Sequence, residues 1–289
     1  MNLLKLRYFQ AVCINKSVSA ASEELHVSQP SLSAVIKELE QEFNVTLFIR
    51  QHKGMIMTEA GEILFNLSQN LLSHAEQVER TMQDLGNGKK VLRLGIPPMI
   101  GSLILPFIYG EYAVKNPNVE LKITEAGTSE VKKLLKADRL DMILIPHNDH
   151  IEKEYSSAKV TEFEIVCCAH KNNQLKKLKT IEPSDLEKEN IVLFENSFFQ
   201  TQQIKRWFSI KNVEPKVLLQ TNQLSTLINL IETDKAVGFT FKQLLKDKTN
   251  LTAIPMKEPM NINVSLVWKK ENTLHTIKSF SAFMKTLKL

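Results

Sequence analysis

Residues 17–58 read S-V-S-A-A-S-E-E-L-H-V-S-Q-P-S-L-S-A-V-I-K-E-L-E-Q-E-F-N-V-T-L-F-I-R-Q-H-K-G-M-I-M-T, and no other stretch of the 289-residue chain restricts the fold so tightly. Two short helices and a tight turn, followed by a hairpin, are the layout of a winged helix-turn-helix, which offers its second helix to the DNA major groove. A preceding helix over Leu3 to Ile14 clusters Leu6, Phe9, Ala11, Val12 and Cys13 at helical spacing. Ser17 or Ser19 can cap the next helix, whose Ala20, Ala21 and Leu25 permit close crossing. The third is expected to begin at Ser28 as N-cap, with Pro30 in the first turn, where a missing N–H costs nothing. Leu32, Val35, Ile36 and Leu39 then form an inward stripe. Gln29, Ser31, Ser33, Ala34 and Lys37 fall on the opposite face, short and polar enough to approach base edges. Gln29 stands where amide readout of adenine is natural.

The run A-A-S-E-E-L-H-V-S-Q-P-S-L-S-x-x-I-K-E-L-E, followed by L-F-I-R-Q-H-K-G-x-x-x-T-E-A-G, closely resembles the N-terminal domain of LysR-type transcriptional regulators. Chain length, a following long helix and an α/β remainder extend the resemblance to the whole chain. It implies that Gln29, Pro30, Ser31 and Ser33 meet the major groove. Arg50 would meet a phosphate, and Lys53 in the wing the minor groove or its flanking backbone. Relatives often carry Arg where this chain has Ala34, so one family contact is missing and the operator does not carry over.

Charge supports a local rather than a diffuse attraction for DNA. Residues 1–58 hold six Lys/Arg against five Asp/Glu, residues 59–88 one against five, and residues 89–289 thirty against twenty-two. Attraction must come from the placement of Lys5, Arg7, Lys16, Lys37, Arg50 and Lys53, doubled by dimerisation. No apolar run reaches membrane-span length and the N-terminus lacks a secretory pattern, which points to a soluble cytoplasmic protein. Three cysteines, Cys13, Cys167 and Cys168, form no disulfide framework. Adjacent strand thiols point to opposite faces, so the last two read as buried rather than as a redox pair.

From Thr58, a plausible N-cap, to Leu85 the chain has no Pro, and Gly61 lies in the first turn. Leu64, Leu67, Leu71, Ala75, Val78, Met82 and Leu85 follow near-heptad steps, the seam of a helix that buries itself against a partner. The helix would run roughly 40 Å at about 1.5 Å per residue. The resemblance implies an antiparallel pair joining two subunits, in a homodimer or homotetramer, with Leu64, Leu67, Leu71, Val78 and Met82 in the contact. Gly86-Asn87-Gly88-Lys89-Lys90 then serves as a hinge.

Beyond Lys90, strand-like runs at 91–96, 119–125, 141–145, 162–169, 190–194, 216–220, 236–241 and 262–268 alternate with helical segments at 103–115, 129–138, 200–209, 223–233 and 275–287. That is an α/β pattern with mainly parallel sheets. The fold expected is therefore an N-terminal all-α winged helix-turn-helix, a long linker helix, and a C-terminal α/β two-lobed domain resembling periplasmic binding proteins, as the family uses for effectors. The expected divisions are 1–58, 59–88 and 89–289. Lobe I would be 89–161 plus 267–289 and lobe II 162–266, with chain crossings near 160–164 and 264–268.

In open α/β sheets, ligands sit beyond the carboxyl ends of strands, against helix N-termini. The candidate wall is Met99, Ile100, Gly101, Ser102 and Thr128 from one lobe, and Asn196, Thr201, Asn222, Phe239 and Thr240 from the other. Thr128 is the first choice, because the family's pockets commonly place Thr or Ser at this G-T position. Met99 stands where many relatives have a small polar residue, Asp234-Lys235-Ala236 replaces a Gly-x-Gly turn, and Phe241 replaces a common Pro. The implied partners are double-stranded promoter DNA, RNA polymerase and a small-molecule effector, an organic anion being one class considered. No cofactor, metal or membrane is expected.

The motifs of hydrolases, kinases and dinucleotide enzymes are absent, so the chain reads as no enzyme. His147-x-x-His150 has metal-like spacing but no second ligand cluster, and reads as a solvated loop. A solute-binding protein would account for the two lobes but not for the helix-turn-helix. An interaction module would account for the linker helix but not for the recognition face.

Overall fold

The computed structural model describes residues 1–51, 54–88, 90–147, 151–272 and 274–287. They form two compact units, Met1–Gln83 and Asp84–Leu289.

The first unit contains α1 (Leu3–Asn15), α2 (Val18–Glu24), α3 (Gln29–Phe43), the hairpin β1 (Phe48–Gln51) and β2 (Gly54–Met57), and most of α4 (Glu59–Gly86). Each helix start is held by a side chain. Asn2 accepts from the Lys5 N–H at 2.9 Å, Ser17 from Ala20 at 3.3 Å, Ser28 from Ser31 at 3.2 Å, and Thr58 from Gly61 at 3.0 Å. These contacts answer donors that a helix cannot satisfy internally. Ser17, not Ser19, is therefore the second cap. Phe9, Val12, Ala21, Leu32, Leu39 and Leu47 are fully buried in one core. The wing is tied down twice. Met55 donates to the Lys16 carbonyl at 3.0 Å, and Glu40 Oε1 accepts the Leu47 and Phe48 N–H groups at 2.8 and 3.3 Å. Gly61 is required where α4 leaves the wing, since a Cβ there would lie 2.3 Å from the Leu47 carbonyl oxygen.

Helix α4 presents two faces. Gly61, Ser68 and Leu72 are buried, Leu64 packs on the core of this unit, and Gln10 donates to Ser68 Oγ at 3.1 Å. The seam expected from the sequence thus divides. Leu64 turns inward, while Leu67, Leu71, Val78, Met82 and Leu85 stay exposed together with Ile63.

The second unit is built on one continuous eight-stranded sheet, in which the two expected lobes are joined by two long crossing strands. It comprises β3 (Lys90–Ile96), β4 (Val119–Glu125), β5 (Met142–His147), β6 (Tyr155–His170), β7 (Ile191–Phe194), β8 (Val217–Thr221), β9 (Val237–Phe241) and β10 (Leu251–Lys269), in the order β4-β3-β5-β10-β6-β9-β7-β8. The outer strands of each lobe are parallel, and the long antiparallel pair β6 and β10 crosses between the lobes. On β10, Leu251–Pro255 pairs only with β6, and Asn263–Val267 also pairs with β5. The change of lobe therefore falls at Ile262/Asn263, slightly before the expected 264–268. Both crossing strands are longer than their apolar runs suggest, because each supplies the other with a ladder that polar residues such as Ser156, Ser157 and Lys159 cannot signal.

Helices α5 (Pro98–Phe107), α6 (Thr128–Lys136), α7 (Phe199–Ile210), α8 (Leu224–Glu232) and α9 (His275–Lys285) cover the sheet. Helix α5 starts five residues before the expected 103, since Pro98 suits the first helical position. Pro106 inside it removes a backbone bond, and the helix loosens into a π turn over Ile108–Ala113. Asp234 takes a left-handed φ of 58°, a conformation that favours glycine.

Candidate functional site

The DNA-facing candidate is the outer side of α3. Gln29, Pro30, Ser31, Ala34 and Lys37 are exposed there, Ser33 is half-buried, and Leu32, Ile36 and Leu39 anchor the opposite side. The turn into α3 passes through His26 at φ 54°, which aims the helix away from α2. The Ser31 hydroxyl lies 2.7 Å from that of Ser28, so the first turn is fixed from both sides. The structure thus gathers Gln29, Pro30, Ser31, Ser33 and Lys37 on one surface. Arg50 is placed through its backbone, paired with Met55 in the wing. Lys53 lies outside the described residues.

Two of the cations assigned to DNA attraction are spoken for. Lys5 pairs with Glu38 at 3.0 Å, and Arg7 approaches Glu76 at 3.9 Å. Among the described side chains of this set, Lys16 and Lys37 are in no ion pair.

In the second unit a cleft of about 680 Å³ separates the lobes, within the size range of small-molecule sites. Pro98, Ser102, Glu125, Gly127 and Glu130 form one wall, and Glu195, Ser197, Phe198 and Asn222 to Ser225 the other. Of the residues selected from sequence, Ser102 and Asn222 line this space. Met99 and Ile100 turn their side chains into the core and are 5% and 1% exposed, leaving only their backbone N–H groups toward the helix start. Gly101 is closed off by the Glu125 carboxylate, 2.5 Å from where a Cβ would stand. Asn196 faces its own lobe, accepting from Lys205 at 2.7 Å and Gln220 at 3.3 Å. Thr201 is buried, its hydroxyl donating to the Phe194 carbonyl at 2.9 Å. Phe239 and Thr240 are fully buried in β9. Alternation along a buried strand and the first turn of α5 explain why these positions sit behind the wall rather than on it.

Thr128 has another placement, as half of a latch between the lobes. Ser129 N–H donates to the Ser197 carbonyl at 3.0 Å, and Phe199 N–H reaches Thr128 Oγ1 at 3.5 Å. Gly127 packs so closely that an added Cβ would meet Ser197 Oγ at 2.5 Å and Cβ at 2.9 Å. Each of α6 and α7 thus gives one first-turn N–H to the opposite lobe. Glu125, Glu130 and Glu195 are the wall residues that sequence reasoning passed over. Their signal was present: Glu195 follows directly on the last apolar residue of β7, and Glu125 is the last residue of β4.

Burial pushes the Cys13 and Cys168 thiols up to about 12 and Cys167 well above the ordinary thiol range. All three are free and buried, which suits packing rather than redox chemistry. Among the described residues no group of His, Cys, Asp and Glu is arranged to hold a metal. His150 lies outside them, and His147 Nε2 is 2.8 Å from Ser265 Oγ. No helix among them is long and apolar enough to cross a membrane.

The two units correspond to two known sequence families. Residues 3–62 match bacterial regulatory helix-turn-helix proteins of the lysR family, and residues 86–288 match the LysR substrate binding domain. The chain is 26% identical to the HTH-type transcriptional regulator YwbI of Bacillus subtilis over 280 residues, 95% of this chain and 92% of that one. It is also 26% identical to the HTH-type transcriptional regulator BenM of Acinetobacter baylyi over 268 residues, 90% and 86% of the two chains. The crystal structure of full-length CbnR complexed with its target DNA shares the fold, with a TM-score of 0.65, 18% identity and 98% of each chain covered. Matched over both units, the chain belongs to the LysR family: it is a DNA-binding transcriptional regulator under effector control, not an enzyme.

Proposed function

We propose that two copies of this chain pair through α4, read an inverted-repeat promoter site with α3, and change their DNA geometry when an effector enters the interlobe cleft. Gln29 reads a base edge, Pro30, Ser31 and Ser33 shape the approach to the groove, and Lys37, Arg50 and Lys53 hold phosphates. Ser102 and Asn222 touch the effector from opposite walls, with Thr128 controlling closure. The protein acts in the cytoplasm, where it meets promoter DNA and RNA polymerase. The observation that carries this reading is the capped outer face of α3, where short polar side chains are exposed in a row above a fully apolar anchor. Such a face admits close approach to base edges without burying unsatisfied groups.

The test is selection of bound fragments from genomic DNA of the source organism by the purified full chain at moderate salt. An inverted-repeat motif enriched upstream of one operon is the expected result. Uniform recovery across the genome would sink the assignment of α3 as a sequence reader.

A further inference from the structure

The charge on the cleft walls identifies an effector class opposite to the organic anion considered from sequence. Glu125 and Glu130 stand on one wall and Glu195 on the other, and no Lys, Arg or His is among the described residues lining the space. Helix N-termini offset this only in part. At the starts of α6 and α7 one N–H each is taken up by the opposite lobe. The starts of α5 and α8 remain, neither with a side-chain cap. Each is equivalent to roughly half a positive charge, so two of them do not balance three carboxylates.

A second feature, independent of the carboxylates, favours the same chemistry. Gln200, two residues beyond the cleft-lining Phe198, is 7% exposed and donates Nε2 to the Phe239 carbonyl at 2.7 Å. Its Oε1 has no partner among the described residues, and neither have Thr240 Oγ1 and Gln243 Oε1. The turn carrying Gln243 packs against α5, where the lobes meet. A buried oxygen without a donor is costly. Of the three, Gln200 Oε1 belongs to the residue nearest in the chain to the cleft wall, and a ligand N–H reaching it would remove that cost.

We infer that the effector is a small organic cation carrying ammonium or guanidinium groups, with net positive charge. The carboxylates of Glu125, Glu130 and Glu195 hold its charged ends. A single carboxylate on it is tolerated at the first turn of α8, which has no side-chain cap. This inference rests on the regulatory reading of the cleft and narrows it.

Thermal unfolding of the full chain tests it, with putrescine and agmatine as cationic probes and benzoate and citrate as anionic ones. Each is used at 10 mM against sodium chloride of matched ionic strength. At least one cation should raise the melting temperature by about 5 °C or more, as expected for occupancy far above Kd, with neither anion moving it. The variants Glu130→Gln and Glu195→Gln, both at exposed positions, should each weaken that cation at least tenfold by calorimetric titration. A shift confined to the anions, equal shifts for all four, no shift with either cation, or a cation shift that both variants leave unchanged would overturn the inference. Promoter-fragment selection run on the same preparation separates this failure from that of the regulator reading, since a retained motif leaves the latter standing.

Discussion

At the residue scale, recognition and attraction separate on α3. Gln29 is exposed at the first turn and carries an amide that can engage adenine in two hydrogen bonds. Lys37, two turns on, carries a charge with no ion-pair partner among the described residues and suits a phosphate. Gln29→Ala should therefore weaken the selected promoter site by about 1–3 kcal/mol while leaving random DNA unaffected. Lys37→Ala should weaken both and flatten the dependence of log affinity on log salt by about 0.9 per lost contact. Fluorescence anisotropy on both DNAs across a salt series checks the pair. Equal losses on both DNAs for Gln29→Ala would remove it from the readout.

A second residue-scale contact sets how near the two lobes come. At Gly127 a methyl group would press on the Ser197 Oγ, which can rotate away, but also on its Cβ and carbonyl carbon at 2.9 and 3.2 Å, which cannot. Gly127→Ala should cost about 1–3 kcal/mol through overpacking and lower the melting temperature of the effector unit. Removing the opposing side chain with Ser197→Gly in the same molecule should restore most of that loss. A double variant no more stable than Gly127→Ala alone would show that the strain lies elsewhere. Such a two-sided test isolates the contact from the general effect of adding a methyl group.

At the scale of elements, helix α4 carries what neither half of the molecule can bury alone. Ile63, Leu67, Leu71, Val78, Met82 and Leu85 are exposed along it, from 43% at Leu71 to 63% at Leu67. A row of this length on a monomer marks a partner surface. Each such side chain contributes about 1.5–3 kcal/mol when fully buried. Leu67→Asp with Val78→Asp alters four contacts in a symmetric pair and should convert the dimer to monomer at micromolar concentration. Sedimentation velocity reads the result, and an unchanged dimer would move the interface off α4.

The elements also show what could be read from the chain. Capped helix starts at Ser17, Ser28 and Thr58 were legible because a cap is a local event between neighbours a few residues apart. Strand cores were legible because buried strands need apolar residues wherever they run. The polar ends of β6 and β10 were not, since their partners are distant in sequence. The cleft was legible as a region and not in detail. Helix starts in this unit were located to within one residue except for α5, which begins five residues early, and there the phase that buries Met99 and turns Ser102 to the cleft was not legible. Thr128 was expected on the effector wall; the structure sets it against Ser197–Phe199 of the other lobe, a partner beyond the reach of local pattern. The split of the α4 seam had the same origin. Spacing alone cannot tell which of two apolar neighbours, Ile63 or Leu64, packs on the protein's own core.

At the scale of the whole molecule, regulation requires that the two units share one free energy. The effector cleft lies in one compact unit and the α3 face in the other. An effector can alter DNA binding only by favouring one state of the assembly over another, and that coupling is reciprocal. Within the second unit, Arg93 on β3 grips Asp84, in the last turns of α4, at 2.6 Å and its backbone N–H donates to Asp141 at 2.8 Å. The sheet that carries the cleft is thus joined to the end of the same helix whose exposed row is proposed to serve pairing. The expectation is quantitative. If a cation identified by the melting test changes promoter affinity tenfold, a coupling of about 1.4 kcal/mol, saturating promoter DNA must change that cation's affinity tenfold in the same direction. Calorimetric titration of the cation into free and DNA-bound protein measures it. Arg93→Met should shrink both changes together if the grip on Asp84 transmits them. A change in promoter affinity with no matching change in cation affinity would mean that the cation acts at a place other than the protein, for instance on the DNA itself.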